Sequence, residues 1–265
     1  MKVLSLKLSS EELNRDRITY IINTVTADNE LVVFPQYVGQ LFRRDLMPVE
    51  SSLDYLDFMK SVSEKYSETI ICPGGMAERE NDEIYQFSVL LKGGHEILRQ
   101  RQLYLSRREA EGGISRGKTQ NYIDYKGFKI AIILGTDVFY PQVSRRAACN
   151  GVNLALFPVA LEKSGGLPLQ LSGVWREVES NQFFAAESQF RGEYQGVEFD
   201  GIPIIHGPLE MTPNSDGFID QGLGQKASAC GFLDNECRLK SISGYNVLSQ
   251  LNPQLYKEMH MFGGN

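Results

Sequence analysis

Four short apolar runs rich in β-branched residues, each bounded by turn formers, constrain this chain more than any other feature. They are Leu31-Val32-Val33-Phe34, Thr69-Ile70-Ile71-Cys72, Phe128–Leu134 and Leu154-Ala155-Leu156-Phe157. Near-continuous apolarity of this kind marks strands buried on both faces or facing the interior of a sandwich. Ile84–Leu91 and Glu96–Arg101, on either side of Gly93-Gly94, read as an antiparallel hairpin. Between these lie helical patterns: Arg17 to Val25, Leu53 to Val62 before Tyr66, Val143–Asn150 stopped by Gly151, and Leu171 to Phe183. Helix and strand alternate early and hairpins gather late, which predicts a layered α/β protein with a mixed sheet.

A chain of 265 residues, 42% of them hydrophobic, is long enough for one domain with a well-buried core. No polar or Pro/Gly-rich linker interrupts the middle, so residues 1–265 are expected to form a single domain, with a polar tail from about Ser249 that is frayed or docked on a partner subunit. The net charge of −6 argues against nucleic acid or an anionic membrane as partner. Its basic clusters, Arg99–Arg101, Arg107–Arg108 and Arg145–Arg146, are short and dispersed. No apolar run approaches the ~20 residues of a membrane span, and the first residues show no signal-peptide pattern. Cys72, Cys149, Cys230 and Cys237 show neither CxxC spacing nor a zinc pattern with His95, His206 and His260. No metal or cofactor is expected, and reduced thiols fit a cytoplasmic protein. Cys72 and Cys149 read as core or helix-end thiols, and Cys230 and Cys237 as two thiols of a hairpin turning at Leu233-Asp234-Asn235.

Six blocks, in order, resemble the nitrilase (carbon–nitrogen hydrolase) superfamily. Leu31–Gln36 is similar to its strand ending in Phe-Pro-Glu, and Arg101-Gln102-Leu103-Tyr104-Leu105 to its Arg-Lys-x-(His/Tyr)-Leu. Gly135–Gln142 resembles Cys-Tyr-Asp-x-Arg-Phe-Pro-Glu. Arg146 and Gly151–Pro158 resemble the helix and strand that follow. Trp175 with Arg176-x-x-Glu179 resembles its tryptophan helix, and Gly201–Pro208 resembles Gly-x-Ser-x-Ile-x-x-Pro. The resemblance covers nearly the whole chain to about Pro208. It implies a four-layer α-β-β-α sandwich that pairs into homodimers or higher homo-oligomers, with the helices at Val143–Asn150 and Leu171–Phe183, and Trp175, Phe183 and Phe184, as interface candidates.

The resemblance also implies a missing chemistry. The family cleaves amides or nitriles through a thioester, using a cysteine nucleophile, a glutamate that moves its proton and a lysine that holds the oxyanion. Gly135 stands at the cysteine position, Gln36 at the glutamate and Gln102 at the lysine. Glycine cannot form a covalent intermediate, glutamine does not titrate near neutral pH, and Gln102 offers a hydrogen bond without charge. Glu109 or Glu111 stands where the family carries a supporting carboxylate, with the register open between them. Gln142 replaces a glutamate after Pro141. Thr136 and Asp137 flank the empty nucleophile position, and the family pattern gives the former a backbone N–H toward the oxyanion and the latter a brace for the turn. The expectation is a pseudoenzyme whose cleft holds a small amide-like molecule or a partner, with Gln36, Gln102 and Gly135 converging near strand ends. The alternative is an amidase-like hydrolase using a shifted or substituted residue set.

Overall fold

Side chains alternate along each strand into separate apolar layers, and that alternation sets the architecture. The structure, a computed structural model, describes residues 1–26, 28–223 and 226–255. Its strands are β1 (Lys2–Ser9), β2 (Leu31–Val33), β3 (Ile70–Cys72), β4 (Met76–Glu80), β5 (Glu83–Lys92), β6 (His95–Arg101), β7 (Ile114–Ser115), β8 (Tyr122–Tyr125), β9 (Phe128–Ile132), β10 (Leu154–Val159), β11 (Phe184–Tyr194), β12 (Val197–Phe199), β13 (Ile204–His206), β14 (Phe218–Gln221) and β15 (Ser228–Phe232). The helices are α1 (Arg15–Val25), α2 (Val38–Leu41), α3 (Pro48–Lys65), α4 (Arg107–Glu111), α5 (Pro141–Cys149), α6 (Gly166–Gln170), α7 (Arg176–Asn181) and α8 (Asn235–Ser241).

One sheet runs β4-β5-β3-β2-β1 and the other β11-β10-β9-β8. They meet where the end of β1 pairs in parallel with β11, Lys7 opposite Gln189 and Ser9 opposite Arg191. Leu31 and Val33 of β2 point between the sheets, together with Val3, Ile70, Ile130, Leu154, Leu156 and Phe184. Val32 points the other way, with Leu4, Leu6 and Ile71, against Ile18 and Ile22 of α1 and Tyr55 and Met59 of α3. On the far side, Ala155, Phe157 and Ala185 pack on Val143 of α5 and Val178 of α7. The result is helix, sheet, sheet, helix. Burying a Val, Leu, Ile or Phe fully is worth about 1.5–3 kcal/mol relative to exposure. A one-residue slip of β2 would exchange its two apolar faces and break both layers at once.

Local signals start and stop the helices. Asn14 caps α1, its side chain accepting from Arg17 N at 2.9 Å. Pro48 opens α3, where its missing N–H costs nothing. The helix expected over Leu171–Phe183 differs in extent: it begins as α6 at Gly166, passes through a π-helical stretch at Leu171–Trp175 with non-helical backbone at Gly173, and ends in α7 at Asn181. Cys230 and Cys237 do not share a hairpin. The former lies in β15 and the latter in α8, because Asp234 accepts from Glu236 N and Cys237 N and so starts a helix instead of a turn. Phe183 and Phe184 are fully buried inside the chain, which removes them from any subunit contact; Trp175 stays half-buried. The tail is described to Leu255, and its last ten residues, His260 and Gly263-Gly264-Asn265 among them, lie outside the described residues.

Candidate functional site

The site is assembled from segments that follow strands. Phe34-Pro35-Gln36 leaves β2, Gln102 leaves β6, and a 3₁₀ turn, Gly135–Phe139, follows β9. Gly74, with φ +86°, packs so closely under the Pro35 carbonyl that a β-carbon there would collide with it, and Gly75 N donates to that same carbonyl at 3.0 Å. This turn holds Gln36 in place. Gln102 is fixed by its own backbone, whose N–H donates to Gln86 O at 2.9 Å. The next two residues are tied to the 3₁₀ turn: Leu103 N and Tyr104 N donate to Asp137 at 3.0 and 2.6 Å. Asp137 is thus a brace between two loops. Its burial outweighs those bonds, and the nearby Glu109 charge adds to the effect, so its carboxyl is pushed up to about 7.

Gly135 is the meeting point. A β-carbon built on it would stand 2.5 Å from Gln36 Nε2 and 2.9 Å from Gln102 Oε1. The two amides occupy the volume into which any side chain at this position would project. Gly135 also has φ +57°, a left-handed backbone that glycine adopts without strain. The amides continue as a network: Gln36 Nε2 donates to Gln86 Oε1 at 2.9 Å, and Gln86 Nε2 donates to Glu109 Oε1 at 3.2 Å. Gln102 Nε2 lies 3.1 Å from both Glu109 oxygens, 2.8 Å from Tyr104 O and 2.7 Å from Thr136 Oγ1. Thr136 Oγ1 lies 3.1 Å from Glu109 Oε2. All of Gln36, Gln86, Gln102 and Glu109 are buried.

Glu109 enters the cleft through a capping box. Ser106 caps α4 by accepting from Glu109 N, and the Glu109 carboxylate accepts from Ser106 N at 2.7 Å. Above this floor opens a cleft of about 570 Å³, lined by Gln36, Gln86, Glu109 and Thr136 at its base and by Tyr37, Phe139, Leu161, Tyr194 and Phe199 along its walls. Such a volume suits a small organic molecule.

The match to the sequence model of the carbon–nitrogen hydrolase family extends over residues 7–209. The chain belongs to the carbon–nitrogen hydrolase family. It is 27% identical over 232 residues, 81% of its length, to the probable hydrolase YhcX of Bacillus subtilis, and 22% identical over 200 residues, 70% of its length, to hydrolase C26A3.11 of Schizosaccharomyces pombe. Those stretches make up 45% and 62% of the two relatives. Among solved structures, the NitN amidase of Nesterenkonia sp. AN1 shares the fold with a TM-score of 0.76 at 14% identity, covering 98% of this chain and 99% of the amidase. A double mutant of that amidase, one glutamate changed to glutamine and one cysteine to alanine, is solved in complex with acrylamide (TM-score 0.76, 15% identity, 98% and 97% covered).

In this member of the carbon–nitrogen hydrolase family the candidate residues sort plainly. Gln36, Gln102, Gly135, Thr136, Asp137 and Glu109 come together. Glu111 does not: two residues further round α4, its exposed carboxylate pairs with Arg107 at 2.7 Å. Gln142 does not either, since it lies exposed on the first turn of α5. None of the cysteines lines the cleft: Cys72 is buried with its thiol pushed up to about 11, Cys149 and Cys237 are exposed, and Cys230 is half-buried in β15. One feature escaped sequence reading. Gln86 joins Gln36 to Glu109; the signal available was a glutamine inside the apolar strand Ile84–Leu91, where a buried amide must find partners. His206 lies outside the cleft, fully buried and hydrogen-bonded to Glu187 at 2.8 Å. Among the described residues no helix is long and apolar enough to cross a membrane.

Proposed function

We propose that this chain is a non-catalytic member of the carbon–nitrogen hydrolase family that holds a small molecule in the cleft lined by Gln36, Gln86 and Glu109. One observation carries the reading: the amides of Gln36 and Gln102 stand 2.5 and 2.9 Å from where a side chain at Gly135 would begin. Covalent catalysis needs a nucleophile there, a base beside it and a cation for the oxyanion. Glycine and two neutral amides supply none of the three. The cleft itself is retained, and the related amidase with a glutamine and an alanine in place of a glutamate and a cysteine is solved with acrylamide bound, so a neutralised site of this fold accommodates an amide. The same reading includes pairing of two copies through the outer face of α5, α6 and α7, an expectation from the family resemblance, and a cytoplasmic setting consistent with four unpaired cysteines.

A second reading has a specific observation behind it. Thr136 Oγ1 lies 3.1 Å from Glu109 Oε2 at the base of the cleft, so a hydroxyl and a carboxylate base are adjacent. Against it, the same hydroxyl is 2.8 Å from the Tyr104 carbonyl and accepts from Gln102, which ties it down in a bonded turn. The deciding experiment assays the purified protein against short-chain amides, nitriles and carbamoyl compounds. The non-catalytic reading expects no turnover. Turnover that survives alkylation of all four cysteines and disappears in Thr136→Val overturns it in favour of the second.

A further inference from the structure

We propose that the cleft takes a small organic cation, an ammonium or guanidinium on a short apolar body, with its charged head on Glu109 and its body along Tyr37, Tyr194 and Phe139. The inference rests on the reading of the cleft as a binding site and adds the chemistry of what it binds.

Glu109 is the buried carboxylate of the cleft lining; the other charged residues that line it, Glu50, Arg79, Arg108 and Glu162, are exposed. Ser106 N, Gln86 Nε2, Gln102 Nε2 and the Thr136 hydroxyl surround Glu109 with neutral donors. Among the described residues no lysine, arginine or histidine forms an ion pair with it. The position that a lysine would fill is Gln102, and an amide brings hydrogen bonds without charge. At the exposed rim Arg108 lies 3.9 Å from Glu162, and Arg79 and Glu50 line the same cleft. Burial first and the Glu109 charge second push the Tyr37 hydroxyl up, against a smaller opposing effect of the Arg108 charge.

A buried acceptor points the same way. Gln40 lines the cleft, and its Oε1 has no hydrogen-bond partner among the described residues although the side chain is almost completely buried. A buried acceptor left without a donor is costly, and a ligand rich in N–H groups removes that cost. An ammonium brings three donors and a guanidinium five, and either brings the missing charge. A carboxylate ligand would meet Glu109 with like charge. A neutral amide would leave Glu109 unbalanced. The walls complete the match: Tyr37, Tyr194 and Phe139 line the cleft and offer apolar contact to a short alkyl body.

The test is calorimetric titration of the purified full chain with n-butylammonium, n-butylguanidinium, butyramide and butyrate at one ionic strength. At least one cation should bind tenfold or more tightly than butyramide, and butyrate should not bind. Glu109→Gln should erase that preference. Gln102→Lys, which supplies an internal ammonium to Glu109, should weaken cation binding tenfold or more while circular dichroism shows a folded chain; it serves where Glu109→Gln does not fold. Butyramide binding as tightly as the cations, or cations binding Glu109→Gln as well as the wild type, overturns the cation assignment and leaves the small-molecule reading standing. Binding of none of the four overturns both.

Discussion

Adding a single methyl group at Gly135 should reveal whether the two glutamines have closed over the space beside it. Gly135→Ala meets two separate costs. An L-residue forced into the left-handed region, here φ +57°, loses roughly 1–2 kcal/mol. The new β-carbon would also stand 2.5 Å from Gln36 Nε2, closer than carbon and nitrogen can pack, so the amide has to leave. Leaving breaks its 2.9 Å bond to Gln86, worth about 1 kcal/mol. The expected loss is therefore about 2–3 kcal/mol, read from urea unfolding of the purified protein. The two costs can be separated. In a Gln36→Ala background the Gln36 amide is not there to displace, the contact with Gln102 Oε1 at 2.9 Å remains, and Gly135→Ala should cost about 1 kcal/mol less than in the wild type. The cycle should show a coupling of about 1 kcal/mol between positions 36 and 135. If Gly135→Ala is neutral, or costs the same with and without the Gln36 side chain, then the amide does not occupy the space assigned to it, and the argument that the site has no room for a nucleophile falls with it.

Asp137 supplies a pH test. Its carboxyl is raised from an ordinary 3.8 to about 7, so the folded chain keeps a proton that the unfolded chain releases. The stability it contributes is fully present below about pH 4 and lost as pH rises through about 7. Asp137→Asn, which keeps an oxygen for Leu103 N and Tyr104 N, should flatten the stability–pH curve between pH 4 and 7; an unchanged slope there would assign it to another group. Light scattering at micromolar concentration should give twice the mass of the chain if α5, α6 and α7 form a dimer face, and a monomer would count against that pairing.

Much of this molecule is written in short-range pattern. The strands β2, β3, β9 and β10 are legible because each is covered on both faces, so that every position must be apolar. The hairpin β5–β6 is legible because Gly93 and Gly94 have the positive φ that a tight turn requires. Glu109 could have been separated from Glu111 on the same basis: Ser106-Arg107-Arg108-Glu109 has the spacing of a capping box, which turns the third helical residue back over the helix start and, here, into the cleft.

The rest depends on distant segments arriving at one place. No local pattern says that Gln86, in the middle of β5, will receive the Gln36 amide from 50 residues earlier and reach Glu109 23 residues later. Nor does any pattern say that Gln142 faces outward while Asp137, five residues before it, sinks under two backbone N–H groups. His206 and Glu187 become partners only because β13 runs antiparallel beside β11. The sequence by itself determined which segments are strands and which positions face the core, because burial and turn geometry act over a few residues. Only the tertiary structure decided that the two glutamines fill the space at Gly135 and that, among the described residues, no cation forms an ion pair with Glu109. Both facts are distances between segments far apart in the chain, and side-chain volume and charge act through space.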